Sequence, residues 1–324
     1  MHVRRFTLLA VATAGVALAP AAAAQAQVTL AVEQQAAPVA AFHGTVMWSH
    51  FDAGTATYSL MLSQDGGTPQ LVPVAPRSAP FDIDLGSNRG GSTYAVYTRC
   101  ADGDTGCDIY RLRPSSGVEE HITKLSSPTA DERDPTISGG NIGFIRREGG
   151  KDQLRYGTTI SSSKGSKLIV SRPSILSAEL GDLTHVSYVE ATKDSEFGAQ
   201  KVHVRNLSTG RDQIVYTARS GGANTARVTK PSFMEIPNAF LWARTNNGTG
   251  TGNRLVRYTL RGSKLAYAQG SSRWTSTAWA SDKLGAAVSS AVDVTGCKFN
   301  DNAPDSASIC AVQLTGPVTF DLRP

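Results

Sequence analysis

Short apolar segments recur along the chain, and each is bounded by Gly, Pro, Asn or Asp. Six of them carry one large residue: TVMWS, YAVYTR, IGFIRR, HVSYVE, AFLWAR and, with a smaller residue, GAAVSS. They alternate in polarity or stay apolar over a few positions, which is typical of strands. The frequent Gly and Pro leave no room for long helices. The pattern therefore predicts an all-β protein built from many short strands.

The six segments form a repeat. Their shared position is Trp48, Tyr97, Phe144, Tyr188, Trp242 and Val288, at spacings of 44 to 54 residues. A blade of a β-propeller takes about 40 to 50 residues. One shorter segment, opened by Pro in five of six units, precedes the shared position, and two more follow it. The last of these is PVTFDL. We therefore predict a six-bladed β-propeller of four-stranded antiparallel blades; a pair of β-sandwiches is the alternative.

The N-terminal segment has the three parts of a cleavable signal peptide. Arg4 and Arg5 precede an apolar run that is too short to span a bilayer, and a string of small residues follows. We predict a signal peptide over 1–26, a linker over 27–37 and one propeller domain over 38–324. The mature protein should be secreted or periplasmic, without a membrane span. The blades are expected at about 38–75, 79–124, 133–171, 172–217, 228–270 and 275–324.

The charge of the chain argues against nucleic acid as a partner. The net charge is +5, and removal of Arg4 and Arg5 leaves 5 − 2 = +3. Basic residues come singly or in pairs, with no run that could neutralise a phosphate backbone, so no basic patch is expected. We expect a monomer that binds a protein, peptide or glycan.

Four cysteines in an exported chain indicate disulfides. Three pairings are open. Local pairing of Cys100 with Cys107 and of Cys297 with Cys310 is favoured, because each pair brackets the link between the second and third strands of its unit. A bond from the second to the sixth unit is the alternative.

The stretch HITKLSSPTADERDPTISGGNIGFIR, together with AVYTRC and DIYRLRPSSG, resembles the WD40-like repeats of TolB-type propellers. In that family, "LT", a "P.WSPDG" turn, an "I.F.S" strand and an "IY" strand recur. SGG stands here in place of SPDG, and the family's N-terminal α/β domain has no counterpart. The resemblance implies a six-bladed propeller and does not imply the family's role.

Charged residues lie two positions after the shared aromatic. Strand alternation should point them the same way near one face, where the longest links between second and third strands also meet. This rim could bind an acidic ligand; alternatively, its members are strand ends paired with neighbouring acids such as Asp82, Asp84 or Asp134. The rim residues are His50, Arg99, Arg146, Glu190 and Arg244.

No residue can be assigned a catalytic, cofactor or metal role from a motif. The histidines lack zinc-site spacing, and no nucleophile elbow occurs. DGDTGCD leaves open a cation near Asp102, although a closed surface turn is favoured. The main hypothesis is a secreted, non-catalytic binding propeller, so an enzyme is not favoured. The alternative is a hydrolase or lyase acting on an extracellular polysaccharide, with acids at the channel mouth drawn from Asp82, Asp84, Asp134 and Glu179.

Overall fold

The computed structural model describes residues 27–35, 38–101, 105–158, 165–192, 199–219, 226–246, 253–269, 273–291, 310–316 and 318–322. These ranges contain 25 strands and no helix, arranged as six antiparallel sheets. Within them, no helical segment could serve as a membrane span. The predicted all-β, six-bladed fold is confirmed.

The chain forms β1 (Val28–Glu33) before it enters the first blade. The first blade contains β2 (Val39–Phe42), β3 (Thr45–Asp52), β4 (Thr57–Gln64) and β5 (Gln70–Leu71). The second contains β6 (Asp84–Ser87), β7 (Thr93–Ala101), β8 (Thr105–Arg113) and β9 (Val118–His121). The third contains β10 (Glu132–Ser138), β11 (Asn141–Glu148), β12 (Lys151–Thr158) and β13 (Lys167–Arg172).

The fourth blade contains β14 (Ile175–Leu180), β15 (His185–Ala191), β16 (Gln200–Asn206) and β17 (Asp212–Ala218). The fifth has a divided first strand, so it contains β18 (Ala226–Val228), β19 (Ser232–Met234), β20 (Ala239–Asn246), β21 (Arg254–Thr259) and β22 (Lys264–Gln269). The sixth contains β23 (Arg273–Ser281), β24 (Gly285–Ala291) and β25 (Cys310–Leu314).

The first strands of the blades form the inner ring of the molecule. Each contacts its neighbours in turn, and β2 contacts both β6 and β23, which closes the ring. One hydrophobic cluster fills each of the six interfaces between blades. The six shared positions found in the sequence are all fully buried against the preceding blade. Both faces of every sheet are therefore covered by neighbours, as a four-stranded sheet requires.

The ring is closed by the N-terminal strand. β1 pairs antiparallel with β25, with Val28 opposite Leu314 and Glu33 opposite Cys310. This corrects two expectations: the segment 27–37 is not a plain linker, and PVTFDL is not the fourth strand of the last blade. Instead, Asp321 forms a bridge with Tyr267 of β22. A local pattern could not reveal a pairing between opposite ends of the chain.

Prolines do not always open the first strands. Pro135 lies inside β10, where the register shifts between Arg133 and Thr136, and Pro231 lies in the break between β18 and β19. Proline has no N–H to donate, so a bulge tolerates it. The residue before each proline, Asp134 or Lys230, belongs to the same irregular point of its strand.

Candidate functional site

A circle of hydrogen bonds joins each blade to the next, and in five of the six interfaces it lies at the inner strands. In every interface a side-chain oxygen of one blade accepts a backbone N–H of the following blade, which satisfies a donor that the sheet leaves unpaired. The six hydrogen bonds, each written from the N–H donor to the side-chain acceptor, are Phe81 N to Ser49 Oγ (2.7 Å), Ile137 N to Asp84 Oδ2 (2.8 Å), Ala178 N to Asp134 Oδ2 (2.6 Å), Phe233 N to Glu179 Oε1 (3.1 Å), Trp279 N to Ser232 Oγ (2.9 Å) and Val39 N to Ser276 Oγ (3.0 Å).

Lys230 crosses the central channel. It projects from the break in the first strand of the fifth blade, and its Nζ donates to Asp134 Oδ1 at 3.0 Å and to Pro135 O at 3.1 Å in the third blade. Because the fourth blade lies between them in the ring, this contact has to pass through the channel. Asp84 and Glu179, both buried, also act electrostatically on Lys230. The channel therefore holds one ammonium group among three carboxyl groups.

The surroundings shift the pKa of every member of this channel cluster. Burial raises the pKa of Glu179 well above its ordinary value, and the nearby charge of Asp84 raises it further. Burial also raises the pKa of Asp84 and of Asp134, and the attraction of Lys230 opposes both shifts. For Lys230, burial opposes the charged form, but Asp134, Asp84 and Glu179 outweigh it and raise its pKa. The three carboxyl groups therefore favour the charged form of Lys230, and burial and Asp84 raise the pKa of Glu179.

The carboxyl groups of Asp84, Asp134 and Glu179 all interact with Lys230, but their oxygens accept hydrogen bonds from the protein itself. Glu179 accepts from Phe233 N through Oε1 and from the Thr136 hydroxyl through Oε2. Only 5% of Glu179 is exposed. Across the described ranges, no group of three or more His, Cys, Asp or Glu is placed to hold a metal ion. These hydrogen bonds and the ion pair with Lys230 hold neighbouring blades together. The channel cluster therefore offers no open carboxylate pair.

The predicted rim residues lie in the second strands, and three of them bind local carboxylates. His50 Nδ1 lies 2.8 Å from Glu33 Oε2. Arg99 Nε donates to Glu119. Arg146 Nε donates to Glu132 Oε1 at 2.7 Å. The carboxylate partners of these three rim residues are thus Glu33, Glu119 and Glu132. Asp82, Asp84 and Asp134, which were the expected partners, instead accept backbone N–H groups of the inner strands.

The two other rim residues have different surroundings. Glu190 lies 2.9 Å from His203 Nε2 and 3.6 Å from Arg172 Nε. Arg244 lies directly opposite Arg254 in the ladder of β20 and β21, so two basic residues face each other there. A ligand-binding role for the five rim residues stays a prediction.

Sequence reasoning missed Lys230. The available signal was positional: Asp134 and Lys230 each precede the proline that marks the first strand in their units. Two residues of opposite charge at equivalent points of different blades can meet in the channel of a ring. That inference needs the ring to be known first, because the two are far apart in the sequence.

The disulfide between Cys100 and Cys107 is present, as the favoured local pairing predicts. It closes the link between β7 and β8, and the backbone N–H groups of Gly106 and Cys107 donate to Asp131 Oδ1 at 2.6 Å and 3.2 Å. The bond thus sits beside the entrance to the third blade. Cys297 and Asp102 lie outside the described residues, so the second pairing and the cation stay predictions.

The molecule is a six-bladed β-propeller, and its fold is similar to those of solved propellers. No protein-family model matches the chain. No curated protein matches it either. TolB from Acinetobacter baumannii is similar over 86% of this chain and 66% of its own, with 12% identity and a TM-score of 0.53. An oligogalacturonate lyase in complex with manganese is similar over 87% and 78%, with 10% identity and a TM-score of 0.53.

A third similar structure is the PQQ-bound aldose sugar dehydrogenase from Streptomyces coelicolor, over 88% of this chain and 96% of its own, with 14% identity and a TM-score of 0.52. A putative TolB from Agrobacterium tumefaciens is 18% identical, with a TM-score of 0.42, over 54% of this chain. The chain spans less than two thirds of either TolB chain, 66% and 62%. At these identities the likeness shows the TolB-like propeller fold and no shared activity.

Proposed function

We propose that this chain is an exported, non-catalytic propeller that binds a protein, peptide or glycan through one face. That face, called the loop-bearing face below, is where the second strands end, at Asp52, Ala101, Glu148, Ala191, Asn246 and Ala291. The sequence predicts that the longest links between second and third strands start there, and most of their residues lie outside the described ranges. Links of this kind on a rigid scaffold are where propellers and other β folds usually bind.

The proposal rests on one observation: the carboxyl groups of the channel are already engaged in hydrogen bonds between blades. Asp84, Asp134 and Glu179 all accept backbone N–H groups from the next blade, and Lys230 neutralises part of their charge. A general acid or base has to reach the substrate, and these groups are committed to holding the ring. The TolB-like fold and the Cys100–Cys107 bond agree with a binding protein outside the cytoplasm.

The test compares two polymer-modified chains. Glu148→Cys places a polyethylene glycol on the loop-bearing face, and Thr209→Cys places it in the turn between β16 and β17 on the opposite face. Both residues are exposed, so both conjugates should fold. The immobilised parent is used to capture its ligand from the culture medium. The Glu148 conjugate should capture it about tenfold less, equivalent to ~1.4 kcal/mol, and the Thr209 conjugate as well as the parent.

The released ligand is then analysed by mass spectrometry and should be chemically unchanged. Equal capture by the two conjugates would contradict binding at the loop-bearing face. A ligand released with a cleaved bond would instead support the hydrolase or lyase alternative.

One observation favours that alternative: the raised pKa of Glu179, caused first by burial and then by Asp84, suits a general acid. If the chain cleaves a polysaccharide, Glu179→Gln should abolish cleavage while the far-ultraviolet circular dichroism stays that of the parent. Activity retained in this variant would remove the channel from the mechanism.

A further inference from the structure

The second blade has a small open pocket on the side that faces the third blade. Alternate side chains of a strand point to the same side, and Ile109 of β8 and Ile122, which follows β9, pack into the cluster between these two blades. The pocket lies further along that side and has a volume of about 260 Å³. The described residues that line it all belong to the second blade: Tyr94, Arg111, Arg113, Ser116, Val118 and Glu120.

The pocket lies toward the face opposite the loop-bearing face. The second strands end at the loop-bearing face, and Tyr94 is near the other end of β7. Arg113 is the last residue of β8, and the turn over residues 114–117 leads from it into β9 at that same end. The pocket is therefore separate from the surface to which the proposed function assigns binding.

One of the two arginines in the pocket is neutralised inside the blade. Arg111 Nη2 donates to Glu120, which is directly opposite it in the ladder of β8 and β9. The Arg111 guanidinium also lies 4.8 Å from the centroid of the Tyr94 ring. Arg111 and Glu120 thus form one wall of the pocket and add no net charge to it.

Arg113 is the cation that remains. Its guanidinium lies 5.4 Å from the centroid of the Tyr94 ring, and its Nε and Nη2 donate to the Tyr94 hydroxyl at 3.3 Å and 2.7 Å. Within the described ranges, no carboxylate pairs with Arg113. With Arg111 and Glu120 counted, the pocket carries 2 − 1 = +1.

The bond to Tyr94 leaves the carboxylate-binding end of Arg113 open. A guanidinium has five N–H donors, and the two on the Nε side point to the Tyr94 hydroxyl. The remaining donors include the parallel pair on Nη1 and Nη2, which matches the two oxygens of a carboxylate. Tyr94 is only 8% exposed, so it holds the fork from a fixed position and reduces the entropy that binding costs.

An apolar surface stands beside this fork. Val118 is directly opposite Arg113 in the ladder, and it is 64% exposed. Covering such a surface stabilises a complex. The volume lies just below the range of about 300 to 1,000 Å³ that holds a drug-sized ligand, so the pocket suits one side chain.

We propose that this pocket, called the Arg113 pocket below, binds the side chain of a glutamate that a peptide presents. The fork of Arg113 holds the carboxylate, and the aliphatic stem of the glutamate covers Val118. The single negative charge of the side chain balances the +1 of the pocket. The inference goes beyond the proposed function, because it adds a second binding point away from the loop-bearing face.

The test follows the methyl groups of Val118 by nuclear magnetic resonance, with Val118→Ala to identify their resonances. The probe is a terminally blocked tripeptide with glutamate between two glycines. It should shift these resonances saturably, whereas the same tripeptide with glutamine should leave them in place. In Arg113→Gln the concentration at half-saturation should rise about tenfold, from loss of a charge-assisted bond. Arg113 is exposed, so this variant should fold, and its circular dichroism should match that of the parent.

Two further variants separate the fork from its charge. Arg113→Lys keeps the charge and loses the planar fork, so the half-saturation should rise at least about threefold. Arg261→Gln removes an exposed charge from the equivalent turn of the fifth blade, between β21 and β22, and should leave the half-saturation unchanged.

Any of four outcomes would overturn the inference: no saturable shift, an equal response to the glutamine tripeptide, unchanged half-saturation in Arg113→Gln, or an equal response to galacturonate or inorganic phosphate. The tripeptide should bind the Glu148 conjugate as it binds the parent. The two proposals therefore fail separately, because neither measurement depends on the other face.

Discussion

Lys230 binds together groups from four blades. Its ammonium group contacts Asp134 of the third blade and feels the charges of Asp84 in the second and Glu179 in the fourth. Buried carboxylates are tolerated only when they are paired, hydrogen-bonded or protonated, and here all three remedies act together. At the scale of single residues, the channel is therefore the part of the protein where the burial of charge needs the most compensation.

Lys230→Met should destabilise the chain strongly. The change leaves Asp134, Asp84 and Glu179 buried without their cation, and loss of one partner of a buried pair costs about 3 kcal/mol or more. Urea denaturation followed by tryptophan fluorescence measures the free energy of unfolding. Lys264→Met, at an exposed position of the same blade, should cost less than about 0.5 kcal/mol. Equal effects of the two changes would show that the channel pairing contributes nothing.

Glu179→Gln should change how stability depends on pH. The pKa of Glu179 is raised in the folded chain, mainly by burial and then by Asp84, so its contribution is complete below its ordinary value of 4.5 and is lost as pH rises through the folded pKa. Glutamine cannot ionise. The stability of the variant relative to the parent should therefore increase as pH rises above 4.5.

Glu148→Gln provides the control for this measurement, because Glu148 is exposed at the end of β11. Its stability relative to the parent should stay flat over the same range. A flat difference for Glu179→Gln as well would mean that Glu179 ionises in the folded protein as easily as in the unfolded one.

At the scale of the strand and the blade, the repeat conserves the buried positions between blades more closely than it conserves the residues at the strand ends. The shared position is fully buried in all six blades, whereas the residue two positions later is a histidine, an arginine, a glutamate or a serine. Burial against the preceding blade limits that position to an aromatic or aliphatic side chain. The strand end is open to solvent or to a local partner, so its chemistry differs from blade to blade. A periodic sequence therefore predicted the blades, whereas the partners of the strand ends do not follow from the repeat.

Removal of the second-blade disulfide is a test at this scale. Cys100→Ser with Cys107→Ser opens a short closed loop, and the loop-entropy relation gives a loss of about 2.5 kcal/mol. The pairing of Ala101 with Thr105 should keep the hairpin in register. The denaturant midpoint of the double variant should lie below that of the oxidised parent. A double variant as stable as the oxidised parent would contradict the entropic account.

At the scale of the whole molecule, the two ends of the chain share one sheet. β1 completes the sixth blade by pairing with β25, so the ring cannot open without breaking strand pairing. An open sheet edge would otherwise expose unpaired N–H and C=O groups to other chains. The closure also brings Glu33 to Trp48 and His50, so it positions a carboxylate on the loop-bearing face.

Deletion of residues 27–32 should therefore weaken the entire ring. Four of the five residue pairs between β1 and β25 are lost, and at about 1 kcal/mol for each hydrogen bond the cost should exceed about 3 kcal/mol. Light scattering after size-exclusion chromatography should show association through the freed edge of β25. Val32→Lys, at a position that is 64% exposed in the same strand, should stay monomeric and stable. A monomeric deletion variant with unchanged stability would show that β1 does not close the ring.

The sequence by itself determined the class of fold, the number of blades and the buried position in each, and it favoured the Cys100–Cys107 pairing, because all of these follow from periodicity and spacing along the chain. The tertiary structure alone decided the closure by β1 and the meeting of Lys230 with Asp134, Asp84 and Glu179. Those features depend on which residues face each other across a ring. Such pairs are far apart in the chain, so no local pattern records them.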